Sequence, residues 1–469
     1  MPVITRLAAS VSTRLAASVI TRLAASVGAA LLASVTLAPV VGVTLTPVAA
    51  AEPPNRTPDP AEVLNSFVEG ALAAGRPANP AEAITPLVTI APFYAEPALT
   101  GEETPGTLLK AEKIDVQFAG FRPGNLDAYR LMYVTTTIDG ELDISTGITL
   151  IPVDGRPDAE RRVVSYQMAN DGVGPNCHPS AMWTGSDPVD TASWSAVGPL
   201  AQMLGQGYAV VMSDVGNNGD LSPRGVFAGK YNARTNLDAL RAALDPELTG
   251  LSRDAPIGMF GIAGGGVGTG HAVEIMDWYA PELTITAAVM EGMVPDYRSF
   301  MELADGTMGS GFAFATLLGL EPHYPEMRVD EHLNPAGRAI ADDYRTQCQF
   351  PAYYAMPFVP LSTLFLDGRV PAEIEAFQRA FEDNLMGYAA PSRDVRVLVA
   401  SCAADDSFMS IVPAEDSRTL VRQWREQGGT VDYQPTDCSM ERLVTDPWGW
   451  TTDLYGMQTM DWLDAHLGR

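Results

Sequence analysis

Short apolar runs alternate with longer helical stretches through most of the chain. Ala209-Val210-Val211-Met212, Val395 to Ala400 and Thr430-Val431-Asp432-Tyr433 read as strands, and Leu237 to Leu244 reads as helix. A hairpin ends at Ile148-Thr149-Leu150-Ile151-Pro152. Such alternation predicts an α/β fold, a mostly parallel sheet with helices on both faces. From about 296 to 391 the strand signal gives way to a helical insertion. It carries Phe300, Met301, Phe312, Phe314, Leu317, Leu318, Tyr353, Tyr354, Phe358 and Phe365, most of them expected in its own core and a minority around an apolar pocket.

The most informative run is Pro256 to Gly270, an apolar strand entering a glycine-rich turn and then a helix. Gly261, Ala263 and Gly265 have the spacing of the G-x-S-x-G turn of α/β-hydrolases, whose tightness demands small residues on either side of the nucleophile. Ala263 holds the nucleophile's place, and Gly264 follows it. Glycine-rich strand-to-helix turns also bind phosphates or dinucleotides, so the fragment alone leaves that reading open. An alanine cannot attack a carbonyl carbon. A non-glycine residue in so strained a turn costs about 1–3 kcal/mol, so the turn is free to relax once no nucleophile has to be presented.

Several separate stretches, in order, resemble the secretory lipase family of α/β-hydrolases, over roughly residues 90 to 465. They are Pro92-Phe93-Tyr94, Pro105 to Leu109, Tyr129-Arg130, the hairpin, Ser165-Tyr166-Gln167, Asp171 to Ser180 with Cys177-His178-Pro179-Ser180, and Tyr279 to Leu283. The resemblance implies hydrolase core at 91–295 and 392–469 and a helical cap over an acyl pocket at 296–391, while composition marks 52–90, rich in Pro and Ala, as an amino-terminal arm and 1–51 as a signal peptide. It implies Asp171 and the Gly264 amide as oxyanion donors and Asp405 as the triad acid, with Asp406 close enough for the alignment to slip. It also implies the disulfides Cys177–Cys348 and Cys402–Cys438. The triad histidine belongs in the window Asp437 to Arg442, where none stands and Ser439 and Glu441 are the polar residues. Removing the nucleophile or base from such a triad costs about a millionfold in turnover, while oxyanion hole and binding keep roughly 10³–10⁴ over water.

The remaining polar candidates have plainer readings. The five histidines are His178, His271, His323, His332 and His466. His271 lies two helical turns beyond Ala263 and reads as a packing residue, and His178 in the oxyanion loop reads as structural or solvated. Asp405-Asp406 reads as a helix cap or hydrated turn as readily as an acid. Gly309-Ser310-Gly311 lacks the strand an elbow requires. No His/Cys cluster points to a metal, and no cofactor is expected.

Composition adds a compartment. Residues 1–51 hold no acid, carry Arg6, Arg14 and Arg22 in a Thr-Arg-Leu-Ala-Ala-Ser-Val segment repeated with a period of eight, and end in an apolar run and Ala49-Ala50-Ala51. That pattern is a secretory leader, and four cysteines suit an oxidising, extracellular setting. No other segment is long and apolar enough to span a bilayer. The net charge of −27 disfavours nucleic acid and anionic lipid surfaces. Three functions fit: an impaired homologue that binds acyl chains or lipid esters, an active triacylglycerol lipase or carboxylesterase with an unorthodox site, and a surface interaction protein.

Overall fold

The apolar runs pair into one nine-stranded sheet in the computed structural model, which describes residues 56–78, 92–118, 120–169, 172–174, 177–186, 191–216, 226–349, 351–407 and 409–468. The expected leader and Asp171 lie outside the described residues. The strands are β1 (Leu108–Ile114), β2 (Leu126–Thr136), β3 (Leu142–Pro152), β4 (Val163–Gln167), β5 (Ala209–Ser213), β6 (Ile257–Ile262), β7 (Ile285–Glu291), β8 (Arg396–Cys402) and β9 (Thr430–Thr436). Across the sheet they run β1-β2-β3-β5-β4-β6-β7-β8-β9. The first three form an antiparallel meander and β3 meets β5 antiparallel, while β5, β4, β6, β7, β8 and β9 are parallel. The exchange of β4 and β5 opens a crevice at the strands' carboxyl ends, where ligands of open α/β sheets bind.

Every residue of β4, β5 and β6 is buried. Helices cover both faces there, which is why these strands are almost continuously apolar. On one face lie α3 (Gly229–Ala243), α4 (Gly264–Tyr279) and the insertion; on the other, α2 (Thr191–Gly205) and α12 (Met460–His466). In the amino-terminal arm Asn65 caps α1 (Ser66–Ala74), accepting from the Phe67 and Val68 amides, and donates to the Ala201 carbonyl of α2 at 2.8 Å.

The insertion contributes α5 (Tyr297–Ala304), α6 (Ser310–Leu320), α7 (Pro335–Thr346) and α8 (Glu375–Asp383). All eleven residues of α6 are buried, making it the axis around which the insertion packs. Of the aromatic and methionine residues expected inside, Phe300, Met301, Phe312, Phe314 and Phe365 are buried, Tyr353 is half-buried, and Tyr354 and Phe358 are exposed. The Cys177–Cys348 disulfide ties the loop beyond β4 to the segment after α7.

Candidate functional site

The turn from β6 into α4 keeps an elbow's geometry although its central residue is alanine. Ala263 has φ 49° and ψ −118°, a conformation costly for any residue with a Cβ. The surroundings impose it. A Cβ on Gly261 would stand 2.5 Å from the Gly265 carbonyl oxygen and the Thr269 hydroxyl, and a Cβ on Gly265 would overlap the Gln167 carbonyl oxygen at the end of β4. The helix therefore presses its first turn onto two strands. The Ala263 amide donates to the Glu291 carbonyl at 2.8 Å and its carbonyl accepts from the Val267 amide at 3.2 Å. The expectation of a relaxed turn is corrected: close packing by Gly261 and Gly265, not the side chain presented, sets the backbone.

Beyond the elbow, Gly264 and Gly265 line a cavity of about 20 Å³ with Gln167, Met168, Ser213, Val215 and Asn232. It holds one water or little more. The first amides of a helix have no intrahelical acceptor and sit at the positive end of its dipole, so the Gly264 amide is suited to a carbonyl oxygen or a water. Val215 at φ 57° is a second strained residue on the cavity wall, rarer than Ala263 because it is β-branched. Behind it, buried Asp214 accepts from the Ser180 amide at 2.9 Å, the Ser180 hydroxyl and the Thr146 hydroxyl at 2.7 Å. Burial raises its carboxyl above the usual range, against these donors. Through Ser180 it fixes the turn after Cys177 and His178, and His178 is itself fully buried.

The acid turn and the loop expected to carry the base are brought together by a disulfide. Asp405 is exposed after β8, and its carboxylate accepts from the Ala414 amide at 2.8 Å, capping α9 (Ala414–Glu426). The Cys402–Cys438 disulfide, with Cα atoms 5.5 Å apart, joins this turn to the loop after β9, and the Ser407 hydroxyl donates to the Cys438 carbonyl at 2.6 Å. In that loop Ser439 caps α10 (Met440–Thr445), and Glu441 is exposed on its first turn. Arg442 turns inward instead, pairing with Asp453 at 2.6 Å on α11 (Pro447–Leu454).

Three histidines are committed elsewhere. The His271 ring, buried against α3 at Gly229, bonds the Asn384 carbonyl at 3.2 Å through Nε2, and burial lowers it to about 4. His332 packs on Phe377, and His466 Nδ1 bonds the Trp462 carbonyl at 2.7 Å. Among the described residues no group of three or more His, Cys, Asp or Glu side chains stands ready to hold a metal ion.

Of the buried acids that left no mark in the sequence reading, Glu291 adjoins the elbow. It ends β7, receives the Thr459 hydroxyl, and is pushed up to about 8 by burial and by Asp453. Its only signal was a lone carboxylate closing an apolar strand.

The profile of the family described as "Secretory lipase" matches residues 196–466. A protein of Mycobacterium tuberculosis (strain CDC 1551 / Oshkosh) named "Probable inactive lipase" is 28% identical over 385 residues, 81% of this chain and 82% of that protein. A secreted triacylglycerol lipase of Malassezia furfur is 27% identical over 349 residues, 73% of this chain and 69% of the relative. Among solved structures, Candida antarctica lipase A in its closed state superposes with a TM-score of 0.65 at 22% identity, covering 78% of this chain and 86% of that one.

Proposed function

Because the chain belongs to the secretory lipase family, we propose that it is an exported member that binds acyl chains or lipid esters without efficient turnover. The observation that carries the reading is Ala263 at φ 49° in an otherwise complete elbow. The site keeps what positions a carbonyl and lacks what attacks it. The relative named "Probable inactive lipase" aligns over most of the chain and supports the impaired reading, while the Malassezia lipase supports lipid esters as the ligand class. Two disulfides and the acid-free leader support export.

In this reading the Gly264 amide donates to the ester carbonyl, and Asp171 holds the family's other oxyanion position. The Cys402–Cys438 bridge and the Arg442–Asp453 pair hold the loop where a base would otherwise stand. Because the cavity beside Gly264 has room for about one water, an acyl chain enters only when the segments around it move aside.

The test is the initial rate on p-nitrophenyl butyrate and palmitate for the native protein beside an Ala263→Ser, Glu441→His double variant, with native mass spectrometry of the native protein after incubation with oleate and trioleoylglycerol. A native rate at buffer background together with bound lipid is expected. A native rate well above background would overturn the impaired reading, and absence of any bound lipid would overturn the binding one.

A further inference from the structure

At the far end of α4 from the elbow, sixteen residues or about 24 Å away, an open groove of about 630 Å³ runs between the loop entering β1 and the carboxyl ends of α3 and α4. Thr104, Thr107, Arg241, Arg253, Trp278 and Glu282 face it. Its size lies within the range of small-ligand sites. Trp278 leaves 64% of its surface exposed, an unusual amount for the most costly side chain to leave in water.

The indole stands on a rigid mount. Its ring meets Tyr279 edge-on with centroids 5.7 Å apart. The Tyr279 hydroxyl donates to Asp238 at 2.7 Å and bonds the Thr136 hydroxyl at 3.0 Å, and its ring lies under the guanidinium groups of Arg234 and Arg241. Arg241 is itself fixed by Asp238 at 2.8 Å and Glu282 at 2.5 Å. The groove thus offers a flat apolar face beside paired N–H donors, carboxylate oxygens and threonine hydroxyls.

We propose that this groove is a saccharide-binding site, separate from the elbow and independent of whether any ester is turned over. A pyranose ring presents an apolar C–H face, which the indole takes, and a rim of hydroxyls that both donate and accept, which Arg241, Glu282, Arg253 and Thr104 take. Charge argues against the other ligand classes. An anion would meet the Glu282 carboxylate on a chain with 57 acidic and 30 basic residues, and with Arg241 already compensated only the solvent-exposed Arg253 would attract it. A purely apolar ligand would strip water from the guanidinium and carboxylate with nothing in return.

Saturation-transfer NMR and tryptophan-fluorescence titration of the full protein with cellohexaose, maltohexaose, mannohexaose and xylohexaose test the site. At least one is expected to bind. Trp278→Ala should weaken it at least about tenfold, Trp278→Phe should weaken it less, and Arg253→Ala should weaken it about threefold. Both positions are at the surface, so melting temperatures should stay near the native value and confirm folding. Silence from all four hexaoses, or binding that survives Trp278→Ala unchanged, overturns the assignment. Neither outcome depends on the ester or lipid measurements.

Discussion

Replacing Glu291 with glutamine should stabilise the protein at high pH and leave it nearly unchanged at low pH. The carboxyl is 5% exposed beneath the elbow strand, beside Phe260, Gly456 and Thr459. Burial and then Asp453 raise it from 4.5 to about 8, and the Thr459 hydroxyl offsets only part of that. Between these two values the folded protein holds a proton that the unfolded chain has lost. Stability from this group is therefore complete below pH 4.5 and is lost as the pH rises through about 8. At about 1.4 kcal/mol per pH unit the ceiling is about 5 kcal/mol, from which relaxation around the ionised group subtracts, leaving about 2–4 kcal/mol. Glutamine copies the shape of the neutral acid, still accepts from Thr459 and does not titrate. Urea denaturation at pH 5, 7 and 9 measures the effect as variant minus native. Glu274, raised to about 7, and Asp238, raised to about 6, titrate in both proteins and cancel in the difference. The difference should start below about 1 kcal/mol at pH 5 and reach at least about 2 kcal/mol at pH 9. One that stays within about 0.5 kcal/mol throughout, or shrinks with pH, would refute the argument.

Gly265→Ala should cost about 3 kcal/mol or more in urea denaturation, because the new methyl meets the backbone carbonyls of Gln167 and Met168 and α4 has to lift off the sheet. A loss below about 1 kcal/mol would mean the elbow is looser than its geometry. Replacing Cys402 and Cys438 together with alanine opens a sequence span of 36 residues and should cost about 4 kcal/mol in the chain-entropy view, read as a lower urea midpoint. Asp405→Ala removes the acceptor for the Ala414 amide and should cost about 1 kcal/mol, with the p-nitrophenyl ester rate unmoved. A loss below about 0.3 kcal/mol would refute the capping role.

Legibility followed the range of the forces involved. The strands β5 and β6 could be read from the chain because burial on both faces leaves a local trace, a largely apolar run. The elbow was readable for a similar reason: what forbids side chains at Gly261 and Gly265 is contact within one turn and its neighbouring strand. Asp405 shows the limit, since an acid at a strand's end suits a cap and a triad equally and its bond to the Ala414 amide leaves no mark in the local sequence. The network of Glu291, Thr459, Asp453 and Arg442 had no local trace, because most of its contacts join segments far apart in sequence. Val215 ran against its own preference, a β-branched residue held at positive φ. In the insertion, composition indicated an interior but not which faces form it, so Tyr354 and Phe358 counted with the core and emerged exposed.

The persistence of the elbow without a nucleophile has a mechanical origin. Strain of about 1–3 kcal/mol at Ala263 would relax if the turn were held only by the side chain it presents. It is held instead by the seating of α4 on β4 and β6, where two missing Cβ atoms allow an approach that any other residue would block. Opening the turn means separating a helix from a fully buried sheet, and the apolar burial lost there exceeds the strain recovered. The backbone that would present a nucleophile is therefore a property of the core, and it outlasts a change in the residue at its apex. Selection on stability alone therefore preserves a positioned Gly264 amide whatever residue stands at the apex, and that separation of scaffold from chemistry is what the proposed binding without turnover requires.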